Sequence, residues 1–198
     1  MSREKIIMIF ILTLIVLAGG WYFYSRPDNA QSELEKLKSE YPELASYVDE
    51  VIELKNKLKE ENKVESYVAL GLALKSLADW AKNAGVENYK DYYQQALRVY
   101  EEGILITNRK NTLFMENAGN MAKYLENYEL AEDYYKEAIS VSPGDDNYYI
   151  LLAELYEYRM NKTKEEVAAV YDEGMSRVIN PGYLEKLKES YLERAGNN

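Results

Sequence analysis

Apolar residues between Leu34 and Leu58 recur at spacings of three and four, which predicts amphipathic helices with one apolar stripe. Pro42 interrupts the pattern, and the residue before a proline is biased away from helical geometry. We therefore predict a short helix that ends near Tyr41, and a second that begins at Pro42 and ends near residues 61–63. The stripe consists of Leu34, Leu37, Tyr41, Leu44, Val48, Val51, Leu54 and Leu58.

This stripe has two interpretations. It packs on other helices of the same chain, or it forms a coiled-coil seam that makes the protein a homodimer. Fewer than four uninterrupted heptads favour packing within the chain. The homodimer remains as the alternative.

The segment from Ile6 to Tyr24 contains no charged residue. Its roughly 19 residues would extend ~28 Å as a helix, close to the thickness of a bilayer's hydrocarbon core. Aromatic rings at positions 21, 22 and 24 suit the headgroup layer, and the apolar run continues beyond the small residues at 18–20, where a secretory signal would be cleaved. We predict an uncleaved signal anchor with the C-terminal domain outside the cytoplasm, the cytoplasmic side being the alternative.

The pattern predicts five consecutive parts of the chain. They are a short N-terminal tail at 1–5, a transmembrane helix at 6–24, a linker at 25–30 around Pro27, membrane-proximal amphipathic helices at 31–63, and a helical repeat domain at 64–198.

The clearest repeat signal runs from Thr112 to Asp145, about one 34-residue helix-turn-helix period. Small residues recur at Gly119, Ala131 and Ala138, where helices must approach closely, and Tyr135 is the aromatic residue between them. Pro143 stops the second helix. This stretch resembles the tetratricopeptide repeat (TPR) family, which often has bulkier residues at the positions of Met115, Ala118 and Ala122.

Flanking segments resemble degenerate copies of the same repeat. The upstream copy has Leu70, Gly71 and Leu74, then Ala96, Tyr100 and Gly103 after a long insertion; the downstream copy has Tyr149, Leu152, Ala153 and Tyr156, then Val167, Tyr171 and Gly174. A last segment with Leu184, Leu187, Tyr191 and Leu192 on one face suits a capping helix. The resemblance implies an all-α fold, a right-handed superhelical stack of antiparallel helix hairpins with about three repeats and a capping helix. Pairs of adjacent tyrosines at 92–93, 134–135 and 148–149 predict that one member of each pair points away from the core.

The resemblance also implies a groove, lined by the first helix of each repeat, that binds a protein or peptide. The groove-facing candidates are Asn117, Asn120, Lys123, Tyr124, Glu154, Glu157 and Tyr158. The alternative is that these side chains face water or pack locally. Glu116 and Leu151 stand where some family members have lysine and asparagine to clamp a C-terminal carboxylate, so a mixed or basic partner is favoured over an acidic tail.

The composition of the chain limits the classes of function that it can have. The net charge of −10 argues against nucleic acid as a partner, and the chain has neither cysteine nor histidine, which removes the usual thiolate and imidazole chemistry. We expect no cofactor, no metal site and no enzymatic activity. Glu154 and Glu157 share a helical face, so a carboxylate-based enzyme is a further alternative. The favoured function is a membrane-anchored interaction module, acting as a scaffold or assembly factor.

Overall fold

The structure is a computed structural model and describes residues 27–196. Within this range the chain forms α-helices and one 3₁₀ turn, and it contains no β-strand. The elements are α1 (Pro27–Glu40), the 3₁₀ turn (Pro42–Leu44), α2 (Ala45–Glu61), α3 (Val64–Asn83), α4 (Lys90–Ile106), α5 (Thr112–Tyr124), α6 (Tyr128–Val141), α7 (Asp146–Tyr158), α8 (Lys164–Arg177) and α9 (Gly182–Gly196).

No helix in residues 27–196 has both the length and the apolar character needed to cross a bilayer. The predicted transmembrane segment at 6–24, and the tail before it, lie outside the described residues. The predicted linker at 25–30 is described only from Pro27, and there the structure differs from the prediction because α1 already begins at that residue. Proline is well tolerated at the first position of a helix, where its missing N–H would have no intrahelical partner.

The chain divides into two compact units, one ending at Ile52 and one beginning at Glu53. In the first unit, Lys38 of α1 forms an ion pair with Asp49 of α2. The predicted break at Pro42 is present, since α1 ends at Glu40 and the proline begins the 3₁₀ turn. The predicted stripe is largely buried within the single chain, at Leu34, Leu37, Leu44, Val48 and Val51.

The second unit contains three helix hairpins followed by a single helix. The hairpins are α3–α4, α5–α6 and α7–α8, and each helix packs mainly against its neighbours in chain order. Most of the long insertion predicted in the first hairpin is extra helix, since α3 has 20 residues and α5 has 13, while α4 has 17 and α6 has 14. The rest lengthens the turn between α3 and α4. This stack is the arrangement that the repeat pattern predicts.

A glycine and a tyrosine set the close approach of the two helices in each of the first two hairpins. A β-carbon added to Gly119 would lie 2.5 Å from the Tyr135 ring, and one added to Gly71 would likewise collide with the Tyr100 ring. Both tyrosines are fully buried. Any larger residue at either glycine would push the helices apart, because a packed core has no room for an extra carbon at that distance.

Helix starts are fixed by local side-chain hydrogen bonds. In α8, the Thr163 hydroxyl accepts from the Glu166 N–H while the Glu166 carboxylate accepts from the Thr163 N–H, which is a capping box. Side-chain oxygens also cap the helices that follow Asn111, Asn127 and Asp145. The hairpins therefore have defined registers, because each turn specifies where the next helix begins.

The prediction for the paired tyrosines is wrong, because both members of each pair are buried. They are Tyr92 with Tyr93, Tyr134 with Tyr135, and Tyr148 with Tyr149. Each helix of the stack is covered on two sides, by its hairpin partner and by the next hairpin, so adjacent positions can both face protein. The hydroxyl groups then reach polar partners at the edge of the core, as when Tyr134 donates to Glu101 at 2.8 Å.

The two equivalent hairpins differ at the tyrosine hydroxyl. The Tyr135 hydroxyl donates to Oδ1 of Asn120, the residue that follows Gly119, at 2.9 Å. The residue that follows Gly71 is Leu72, and among the described residues the buried Tyr100 hydroxyl has no hydrogen-bond partner. Such an unpaired buried group lowers stability by about 1–3 kcal/mol.

We therefore predict that Leu72→Asn supplies the missing acceptor to Tyr100. In a double-mutant cycle with Tyr100→Phe, measured by chemical denaturation, the coupling free energy should be about 0.5–1.5 kcal/mol in favour of the chain that has both the new amide and the tyrosine hydroxyl. The lower helix propensity of asparagine cancels in the cycle, because it lowers stability equally with and without the Tyr100 hydroxyl. A coupling of zero would contradict the equivalence of the two hairpins.

Candidate partner-binding site

The candidate site is a row of side chains on α3, α5 and α7, the first helices of the three hairpins. We call this surface the wall and define it by Lys75, Lys123, Tyr124, Glu154, Glu157 and Tyr158. Tyr124 and Tyr158 are 41% and 59% exposed, whereas most aromatic residues of the stack are buried. Contacts along the row tie its members together.

Tyr124 is held by the first hairpin. Its ring stacks on Tyr93 of α4, with centroids 5.0 Å apart and an angle of 21° between the planes. The Nζ atom of Lys75 lies 5.8 Å from the Tyr124 centroid. Asp79 accepts a hydrogen bond from Tyr93 and forms an ion pair with Lys75 at 2.6 Å. The exposed ring is thus stiff before any partner arrives.

Lys123 is a partly desolvated cation beside this ring. Burial lowers its pKa, and the negative charge of Glu154 on the next hairpin opposes that effect in part. Within residues 27–196 Lys123 has no carboxylate within ion-pair distance. It can therefore pair with a carboxylate or carbonyl of a partner without first breaking an ion pair.

The far end of the wall is acidic, and Arg194 of α9 contacts it. The Nη2 atom of Arg194 lies 3.0 and 3.2 Å from the two carboxylate oxygens of Glu157, and 3.3 Å from the Tyr158 hydroxyl. Burial raises the pKa of Tyr158, as does its hydrogen bond with Glu157. Glu154 stays exposed.

The two predicted asparagines are engaged inside the chain. The Asn117 amide donates to the Leu113 carbonyl one turn earlier at 2.8 Å. Asn120 accepts from the buried Tyr135 hydroxyl, so one of its roles is in the core. Each keeps part of its hydrogen-bonding capacity, since an asparagine side chain offers two donors and one oxygen with two lone pairs.

A separate concavity of about 570 Å³ opens between α6 and α8, with Leu152 and Tyr156 of α7 in its lining. Ile139 and Val170 supply further apolar surface, and charged residues such as Arg177 stand among them. None of the seven predicted groove residues lines it. The concavity is therefore the alternative partner-binding surface, and experiments on the wall must distinguish between the two.

Neither a protein-family model nor a curated protein matches the sequence. Solved structures do match. TTC0263, a thermophilic TPR protein of Thermus thermophilus, has a TM-score of 0.59 at 21% identity, and the match covers 89% of this chain and 95% of that one. A MamA RS-1 ArsTM double mutant has a TM-score of 0.53 at 17% identity, with 84% of this chain and 81% of that chain covered.

The chain has a TPR-like fold. The sequence resemblance to TPR proteins is thereby confirmed at the level of the fold, since identities this low support no more. The predicted groove residues lie on α5 and α7, the first helices of the second and third hairpins. The structure brings Lys123 into electrostatic contact with Glu154, and it places the consecutive residues Glu157 and Tyr158 against Arg194.

Sequence reasoning missed one member of the wall and one residue that contacts the wall. One is Lys75 with its partners Asp79 and Tyr93; a signal existed, because Lys75 follows Gly71 by four residues just as Lys123 follows Gly119. The other is Arg194, which lies on the helix assigned only a capping role. Its contact with Glu157 depends on how α9 packs on α8, and no local pattern in the sequence specifies that.

Proposed function

We propose that this protein is an interaction module that holds a peptide or protein subunit along the wall. The observation that carries the proposal is a pair of exposed tyrosines, Tyr124 and Tyr158, on successive first helices with Lys123 and Glu154 on the same surface. Tyrosine gives a large, amphipathic contact area with few rotatable bonds, and such residues are enriched in the centres of protein interfaces.

Preorganisation supports this use of the surface. The stack on Tyr93 already fixes the Tyr124 ring, so a partner that packs on it loses less conformational entropy on binding. Lys123 is already partly desolvated, so an ion pair with it avoids part of the usual desolvation cost. Two lysines, Lys75 and Lys123, toward one end and two glutamates at the other favour a partner of mixed charge.

The two alternative functions have less support. Most of the Leu34–Leu58 stripe is buried within the single chain, which leaves little apolar surface for a homodimer seam. For the carboxylate pair, Glu157 is bound to Arg194, so the two carboxylates are not both free to act as an acid and a base. We therefore propose neither homodimer assembly nor catalysis.

We also propose that the apolar segment at 6–24 anchors the module in a membrane, where it would act as a scaffold or assembly factor. Support comes from the sequence alone: the uncharged length and the aromatic cluster at its end. The favoured side for the TPR-like unit is the extracytoplasmic one.

Photo-crosslinking of the full-length chain tests the wall. With p-benzoylphenylalanine in place of Tyr158 we expect capture of one defined protein in cells of the source, identified by mass spectrometry, because this side chain is exposed on the wall. Adding Lys123→Ala and Tyr124→Ala should abolish the capture. The same probe at Ala169 samples the concavity between α6 and α8.

The matched control is Tyr183→Ala with Lys186→Ala, an exposed tyrosine and lysine on α9. This pair should leave capture at wild-type levels, and circular dichroism should show equal helix content in both double variants. Capture from Ala169 but not from Tyr158 would move the partner site to the concavity and refute the proposal.

Charges in the apolar segment test the anchor. Ile11→Lys with Leu14→Lys should move the protein from the membrane pellet to the soluble fraction, because each charge near the centre of a span costs about 2.5–3.5 kcal/mol. Asn29→Lys with Ser32→Lys adds the same charge outside the segment and should leave the protein in the pellet. Equal fractionation of both double variants would contradict anchoring by 6–24.

A further inference from the structure

The last helix reaches back to the acidic end of the wall through one residue. Arg194 binds both carboxylate oxygens of Glu157 and the Tyr158 hydroxyl with Nη2, while its Nη1 atom donates to Ser190 at 2.8 Å. Two of the predicted partner contacts are thus occupied by the chain itself. This contact either holds α9 in place or fills a binding position.

Other contacts already hold α9. Leu184 and Tyr191 are buried, and Leu184 packs so closely on Gly174 of α8 that a β-carbon there would lie 2.7 Å away. Lys188 also forms an ion pair with Asp172 of α8 at 2.6 Å. The Arg194 side chain is 51% exposed, so its contact with Glu157 contributes little to the attachment of the helix.

With Arg194 bound, the Glu157 side chain is less exposed than the Arg194 side chain. The Glu157 side chain is only 14% exposed, and Tyr158 and Tyr171 lie in its field. Burial, together with the charges of Glu157 and Glu154, raises the pKa of Tyr171 to about 12. Without Arg194 the Glu157 carboxylate would lie unpaired beside tyrosine rings, an environment that attracts a cation.

We propose that Glu157 and Tyr158 form a guanidinium-binding position on the wall, which Arg194 occupies in the free chain in competition with an arginine of the partner. The proposal rests on the proposed function and names the partner's chemistry: a segment that carries arginine. Arginine fits better than lysine, because its planar, multi-donor head can bind both carboxylate oxygens and lie against the tyrosines.

The geometry favours replacement of Arg194 by an incoming arginine. Among the described residues the Arg194 contacts on Glu157 come from Nη2 alone. An arginine that approaches along the wall can present Nε and Nη2 together, in the bidentate geometry that binds a carboxylate most strongly. Since an exposed ion pair is worth little, release of Arg194 should raise the affinity for an arginine ligand by only about two- to five-fold.

Peptide binding to the full-length chain tests the proposal. The probe is a fluorescein-labelled nonapeptide of glycine and serine with two arginines, compared with the same peptide carrying lysine or neutral citrulline, by fluorescence anisotropy. Arg194→Ala should bind the arginine peptide about two- to five-fold more tightly than wild type. Arg109→Ala is the matched control, an exposed arginine in an ion pair with Glu137, and should bind like wild type.

Glu157→Gln decides between a specific site and general attraction to an acidic protein. In the Arg194→Ala background it should remove the gain in affinity, and with Arg194 intact it should bind the arginine peptide more weakly than wild type does. An equal gain with the citrulline peptide, a gain that survives Glu157→Gln, or no gain in Arg194→Ala would overturn the proposal. Capture from Tyr158 in the crosslinking experiment would then still stand, so the two failures are distinguishable.

Discussion

The contact between a glycine and a tyrosine ring within a hairpin is the constraint on which the rest of the structure depends. At Gly71 with Tyr100, and at Gly119 with Tyr135, the absence of a β-carbon lets the two helices approach until the ring fills the space between them. Because only the glycine side of the first helix can lie this close to the ring, the contact fixes the rotation of that helix about its own axis. It thereby decides which of its residues face the neighbouring hairpins and which form the wall.

The register set by this contact explains the composition of the wall. Lys75 and Lys123 each follow the constraining glycine by four residues, so both project on the same side of the stack. Tyr124 then lies where it can stack on Tyr93 of the first hairpin and stay partly exposed. The wall is a consequence of how the core packs, and its stiffness comes from core residues that never meet a partner.

The fold was predictable because its strongest signals are local. Gly119, Ala131, Tyr135 and Ala138 lie within one repeat, and each has a packing role that spacing alone reveals. The start of α1 at Pro27 was missed because proline reads as a breaker in a sequence, although it is also a good first residue of a helix.

The details that could not be predicted from the sequence depend on contacts between residues that are far apart along the chain. The paired tyrosines are buried on both sides because hairpins cover each helix twice, which no single-helix pattern shows. The orphan hydroxyl of Tyr100 depends on Leu72, which lies on the other helix of the hairpin. Arg194 reaches Glu157 only through the packing of α9 on α8, so the composition of the acidic end could not be predicted from either residue.

The most direct test of the central claim is hydrogen–deuterium exchange of the full-length chain with and without its captured partner. If the wall is the binding surface, the partner should slow exchange in α5 and α7, at residues 112–124 and 146–158, more than in α6 and α8. Slower exchange confined to α6 and α8 would place the partner in the concavity between those helices. Slower exchange confined to residues 31–58 would assign binding to the apolar stripe, and either result would contradict the account.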